Sequence, residues 1–303
     1  MRTRLWWISV CVSLWSCSSA LSQEWRVHVA GPVRIHFEPR NAPAVQQLKP
    51  LVDEALTHIG AELRIGLLDS VDLYLAADRS VFRELTGGRL PEWGAGCAIQ
   101  GRGEIYIHLE QPDPGSYRQT IVHELAHVAL FRGAGHAALP RWFDEGVSMW
   151  LAREWELRQS LDLALAVLSG RTHSLSEVEA LLVFPEAEAR RAYSESLSAV
   201  LYLRQLGGRL IWGDVLEETA RTGSFEQAMS ATLGMSSGEF DLAWRQHTLT
   251  EFNALSLLAD YTLFWIGIAG LMALAFALTK HRAHRLAQSW AGDEETAKEQ
   301  PRA

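Results

Sequence analysis

The chain has 303 residues, 48% of them hydrophobic, 21% charged and 9% aromatic. That balance supplies a folded core and excludes wholesale disorder. The formal net charge of −8 excludes a general nucleic-acid binder, which needs a basic face to neutralise phosphates.

Residues 1–22 read as a secretory signal peptide. Arg2 and Arg4 open it, Leu5 to Trp15 is an apolar run too short to span a bilayer, and small residues follow through Ser22. A rival reading is a lipoprotein signal around Cys17, in which Trp15 fits poorly. With Cys11 and Cys17 inside the signal, Cys97 is the sole cysteine of the mature chain, so no internal disulfide can form. It reads as a small buried hydrophobe, with a regulatory thiol as the alternative.

Residues 23–254 are then expected to form an exported domain. Val27–Val29 and Val33–Phe37 alternate as strands about the Gly31-Pro32 turn. Ala44 to Leu63 has helical spacing, Val71–Leu75 is a strand, and Ser80 is a candidate cap for a short helix over Val81–Leu85. A glycine-rich approach (Gly94, Gly96, Gly101, Gly103) leads into a strand over Ile105–Leu109. From Tyr117 the pattern is helical. Strands with helices followed by a helical half make an α+β fold.

Tyr261 to Thr279 is nineteen residues without a charge, long enough to cross the hydrocarbon as one helix. Lys280, Arg282 and Arg285 follow. By the positive-inside rule residues 280–303 are a cytoplasmic tail, and the protein is a single-pass membrane protein with its domain outside the cytoplasm.

The chemistry concentrates at His123-Glu124-Leu125-Ala126-His127. Four helical residues turn the chain about 400°, so the two imidazoles leave one face and can chelate a single Zn²⁺. Glu124 is then placed as general base for a metal-bound water. Downstream, Leu139-Pro140-Arg141-Trp142-Phe143-Asp144-Glu145-Gly146 starts a second helix with Pro140. Glu145 is the candidate third ligand, which leaves a fourth position for water in the catalytic pattern. His136 and Asp144 are rival ligands. The alternative to the whole site is a helix with ordinary hydrogen-bonded histidines.

HELAH followed by LPRWFDEG resembles the peptidase MA-like branch of the gluzincins, over about residues 33 to 250. The resemblance implies a zincin-like fold with a small N-terminal sheet and one zinc per chain. It also implies zinc ligands at His123, His127 and Glu145, with Glu124 as general base. The strand before the metal helix would accept extended peptide substrate, which places that edge at Ile105–Leu109. Thermolysin-type relatives carry an aspartate four residues after the ligand glutamate to orient a histidine; Met149 stands there. They also use a Tyr or His to stabilise the oxyanion. Tyr193 is the candidate, His173 the second, and helix packing is the alternative role for Tyr193. The mature tryptophans read as core anchors.

The expected function is a membrane-anchored, exported zinc metallopeptidase acting on peptide or protein. The alternative is a zinc-containing module that binds peptide or an envelope partner without cutting it.

Overall fold

The computed structural model describes residues 24–66, 70–88, 94–110, 116–154, 163–167, 169–251 and 265–282. The signal-peptide expectation lies outside the described residues. The chain divides into two compact units: residues 1–159 with 173–237, and residues 160–172 with 238–303.

The first unit holds a five-stranded sheet of order β1-β2-β3-β5-β4. Its strands are β1 (Arg26–Ala30), β2 (Val33–Phe37), β3 (Val71–Ala76), β4 (Gly96–Ile99) and β5 (Glu104–His108). β2, β3 and β5 run parallel, while β1 and β4 are antiparallel to their neighbours. One face carries Ile35, Leu73 and Ile105 in register, all fully buried. The row beside it on the other face is His36, Tyr74, Tyr106 and Cys97. There Tyr74 stacks on His36 at 4.4 Å and on Tyr106 at 5.0 Å.

Helix α1 (Ala42–Leu63) buries Val45, Leu48, Val52, Ala55, Ile59 and Leu63, the three-and-four spacing of a core-facing stripe. Helix α2 (Arg79–Leu85) starts two residues earlier than expected. Asp78 is its cap, because the carboxylate accepts from the backbone N–H of both Ser80 and Val81. Ser80, the expected cap, sits inside the first turn.

Two further helices carry the sequence motifs: α3 (Ser116–Gly133) and α4 (Arg141–Leu151). After them come α5 (Glu186–Gly207), α6 (Ile211–Thr222) and α7 (Phe225–Leu233). Helix α4 crosses α5 closely enough that a Cβ on Gly146 would fall 2.4 Å from the Ser196 carbonyl oxygen. Only glycine fits there. Glu62, nearly buried on α1, is satisfied by Arg204 and Arg209 at 3.2 and 2.8 Å. Trp142 and Trp212 are buried, in keeping with their reading as core.

The second unit contains α8 (Ser237–Glu251, beginning from Gly238 within it) and a helix over residues 265–282. Among the described residues no helix is long and apolar enough to cross a membrane. Of the expected span over 261–279, residues 261–264 lie outside the described residues. The described helix therefore starts inside the apolar run and ends on Lys280, His281 and Arg282. Its Ile266, Leu271, Met272 and Phe276 are exposed.

The sheet corrects one expectation that bears on function. The strand expected at Ile105–Leu109 is β5 and lies inside the sheet, paired on both sides by β3 and β4. Among the described residues the edge on this side is β4, read from sequence only as a glycine-rich approach. Its residues Gly-Cys-Ala-Ile include no polar side chain and so lack the alternation that marks a half-buried strand.

Candidate metal centre

Helix α3 presents His123 and His127 one turn apart, with ring centroids 4.7 Å from each other. Helix α4 returns antagonistic charge to them. Glu145 Oε2 lies 3.4 Å from His123 Nε2 and 3.5 Å from His127 Nε2. All three donor atoms fall within 4.8 Å of one another, a convergence able to hold one metal ion. Their side chains are 12%, 10% and 6% exposed, so water competes poorly.

The outward nitrogens are also met. Asp144 Oδ1 is 2.9 Å from His127 Nδ1, and Ser148 Oγ is 3.2 Å from the same atom. Glu154 Oε1 is 3.2 Å from His123 Nδ1. The Asp144 hydrogen bond at Nδ1 fixes the His127 tautomer and leaves its Nε2 lone pair facing inward, where a metal needs it, while Glu154 pairs with His123 by charge and without hydrogen-bond geometry. The orienting group absent at Met149, which is buried in the core, is thus supplied to His127 by Asp144.

Asp144 takes this role because it precedes Glu145 on α4 and projects about 100° away from it. Glu154 reaches back by way of the helix end. Arg153 adopts a left-handed φ of 57°, Arg153 N–H donates to Trp150 O, and Glu154 N–H donates to Met149 O. These two bonds are a Schellman turn, here built on arginine in place of the usual glycine.

Burial alone would lower the pKa of both histidines. For His123 the carboxylates of Glu154 and Glu145 overcome it and raise the value to about 10; for His127, Asp144 and Glu145 do the same. Burial would raise Glu145, but the two imidazolium rings hold it well below the usual carboxylate range. The two histidines hold protons that a cation would displace, so metal binding and proton release are coupled.

Glu124, on α3 between the histidines, is 6% exposed. Burial raises its pKa, against the pull of His127 and His123. β4 runs beside it: a Cβ on Gly96 would lie 3.1 Å from Glu124 Oε1 and 2.8 Å from Thr120 Cγ2. The edge strand and the candidate base are in contact because position 96 has no side chain.

Tyr193, on α5, feels the site. Burial first, then the charges of Glu145, Glu124 and Glu154, push its pKa well above the ordinary phenol value. The hydroxyl stays protonated and is a donor at neutral pH. His173 is engaged elsewhere: its Nδ1 meets Glu195 at 2.8 Å and its Nε2 meets Glu188 at 3.1 Å. His136 is exposed and stacks on Phe131 at 5.0 Å; it is not in the cluster. Cys97 packs beside Ala76, Val81, Phe82 and Tyr106, and burial raises its pKa to about 12. That thiol is inert as a nucleophile.

A mixed sheet thus lies beside a helix that carries His-Glu-x-x-His, and the next helix returns a glutamate to both histidines. The chain belongs to the peptidase MA superfamily, which matches residues 52–250. No curated protein matches the sequence. Among solved structures it is similar to a yeast LTA4 hydrolase, at 13% identity and a TM-score of 0.44, over 73% of this chain and 38% of that one. It is also similar to an M1 zinc metallopeptidase of Deinococcus radiodurans, at 15% identity and a TM-score of 0.44, over 73% of this chain and 51% of that one. The chain thus spans between about two fifths and half of those proteins.

Proposed function

We propose that the protein is a zinc metallopeptidase that hydrolyses peptide bonds, with His123, His127 and Glu145 as the zinc ligands. The observation that carries this is the convergence of the three donors, His127 and Glu145 buried and His123 nearly so, beside Glu124. Two imidazoles and one carboxylate suit Zn²⁺ and leave a coordination position open. When bound, the metal would supply Lewis acidity, lowering the pKa of water and polarising a carbonyl.

Glu124 takes the proton from the attacking water and passes it to the leaving amine, a shuttle that its raised pKa favours. Tyr193 donates its hydroxyl to the developing oxyanion. Extended peptide pairs along the free side of β4, at Gly96–Ile99, which brings its backbone past Glu124. The residues 1–22 and the apolar run 261–279 support an exported domain tethered by one C-terminal span, with residues 280–303 on the cytoplasmic side. The second reading is a module that binds peptide without cutting it, which Met149 in place of an orienting aspartate would suit. Asp144 and Glu154 at the two Nδ1 atoms weigh against it.

The test is zinc stoichiometry by elemental mass spectrometry on the full chain, beside Glu145→Ala. One zinc per chain in the parent, lost or sharply weakened in the variant, supports the site. No zinc in the parent after reconstitution at neutral pH refutes it. A fluorogenic peptide library cut by the parent and spared by Glu124→Gln then separates peptidase from binder.

A further inference from the structure

We propose that Gln100 is a positioning residue of the metal centre, locking the Asp144 carboxylate against His127 from the end of the β4 edge strand. The inference rests on the zinc metallopeptidase reading and adds to it a residue 44 positions away from the one it holds. Gln100 Nε2 donates to Asp144 Oδ2 at 2.9 Å, while Asp144 Oδ1 meets His127 Nδ1 at 2.9 Å. An ionised carboxylate only accepts, so the glutamine must present its NH₂ end to it.

The second bond matters because the first does not fix the carboxylate plane. The terminal torsion of an aspartate is broad and two-fold, so one hydrogen bond leaves the group free to rock. Ser148 Oγ stands 3.2 Å from the same His127 nitrogen and is ready to replace Asp144 with a neutral, weaker partner. With each oxygen committed to a different element, Asp144 is clamped between α3 and the turn that follows β4.

Gln100 is itself well placed to clamp. It opens the short turn Gln100–Arg102 directly after β4. Gly103 N–H closes that turn onto the carbonyls of Ile99 and Gln100 at 3.0 and 3.1 Å. Two hydrogen bonds therefore connect the strand proposed to receive peptide with a ligand proposed to hold zinc. Order imposed on β4 by a bound peptide is passed along Gln100 and Asp144 to His127.

The experiment measures the zinc dissociation constant of the full chain by competition with a chelator. It compares the parent with Gln100→Ala, Gln100→Glu, Asp144→Ala and the Gln100→Ala/Asp144→Ala double variant. Both Gln100 variants should weaken zinc about 10-fold, the low end of the effect of groups that orient metal ligands. In the Asp144→Ala background, Gln100→Ala should cost nothing further, since the two residues act as one unit. Gln100→Glu keeps the length of the side chain and turns donor into acceptor, so it reads the hydrogen bond even where the alanine loosens β4. Unchanged zinc affinity in both Gln100 variants overturns the proposal, as does an equal further loss in the Asp144→Ala background. A parent that binds no zinc would instead sink the metallopeptidase reading beneath it.

Discussion

Glu124 and Tyr193 stand on different helices, with the Tyr193 phenol within the field of the Glu124 charge, and their substitutions should separate two chemical roles. Glu124→Gln keeps the shape and the neighbours but removes the base. It should lower kcat by about 10²–10⁴-fold while zinc stays bound; full turnover with zinc in place would refute the proton-shuttle role. Tyr193→Phe removes one donor. If that hydroxyl meets the oxyanion, kcat should fall by about 10²–10³ with KM little changed. If Tyr193 only packs α5, melting temperature drops and kcat per folded molecule does not. His173 serves as a contrast, because its pairing with Glu195 and Glu188 gives it a structural task.

At the scale of elements, β4 and the end of α4 decide whether the site is whole. Gly96 lets the edge strand touch Glu124, and an added methyl would meet Ile107 Cδ1 at 2.6 Å as well. Gly96→Ala should therefore cut turnover sharply while the zinc ligands, on other elements, keep their metal. Equal activity in the variant would show that β4 is not the substrate edge. The Schellman turn sets a second test. Arg153→Gly suits the left-handed φ and should hold zinc as the parent does. Arg153→Val, β-branched and unfit for that conformation, should cost about 1–2 kcal/mol and weaken zinc by releasing Glu154 from His123. Thermal unfolding and chelator competition on the pair check both parts.

Across the whole molecule, the outer sheet face carries a charge cluster that ties stability to pH. Arg34 Nε donates to Asp72 at 2.7 Å and His36 Nε2 lies 2.6 Å from it. The Arg34 hydrogen bond lowers the Asp72 pKa from 3.8 to about 2 despite partial burial. A carboxylate depressed on folding adds stability that is fully present above its unfolded pKa and is lost as pH falls through the folded one. Urea unfolding should show the parent losing stability between about pH 4 and 2, and Asp72→Asn should flatten that slope. An unchanged slope would mean that the cluster contributes nothing to folding.

Local pattern and spacing determined the helix that carries His123 and His127, the core face of α1 and the α+β order of elements. These are legible because helical period and alternation are properties of neighbouring residues. Glu145 was visible as a candidate by its type and its place on a second helix, with His136 and Asp144 beside it. Only the tertiary structure separates the three: it brings Glu145 to both histidines, turns Asp144 to the back of His127 and leaves His136 in solvent. It also moves the sheet edge from Ile105–Leu109 to Gly96–Ile99, since which strand is outermost depends on pairing between distant segments. Gln100, Asp144 and Glu154 carry no local signal of their roles. Each acts through one hydrogen bond or ion pair across 17 to 44 residues or around a left-handed turn, and contacts of that kind exist only once the chain has closed on itself.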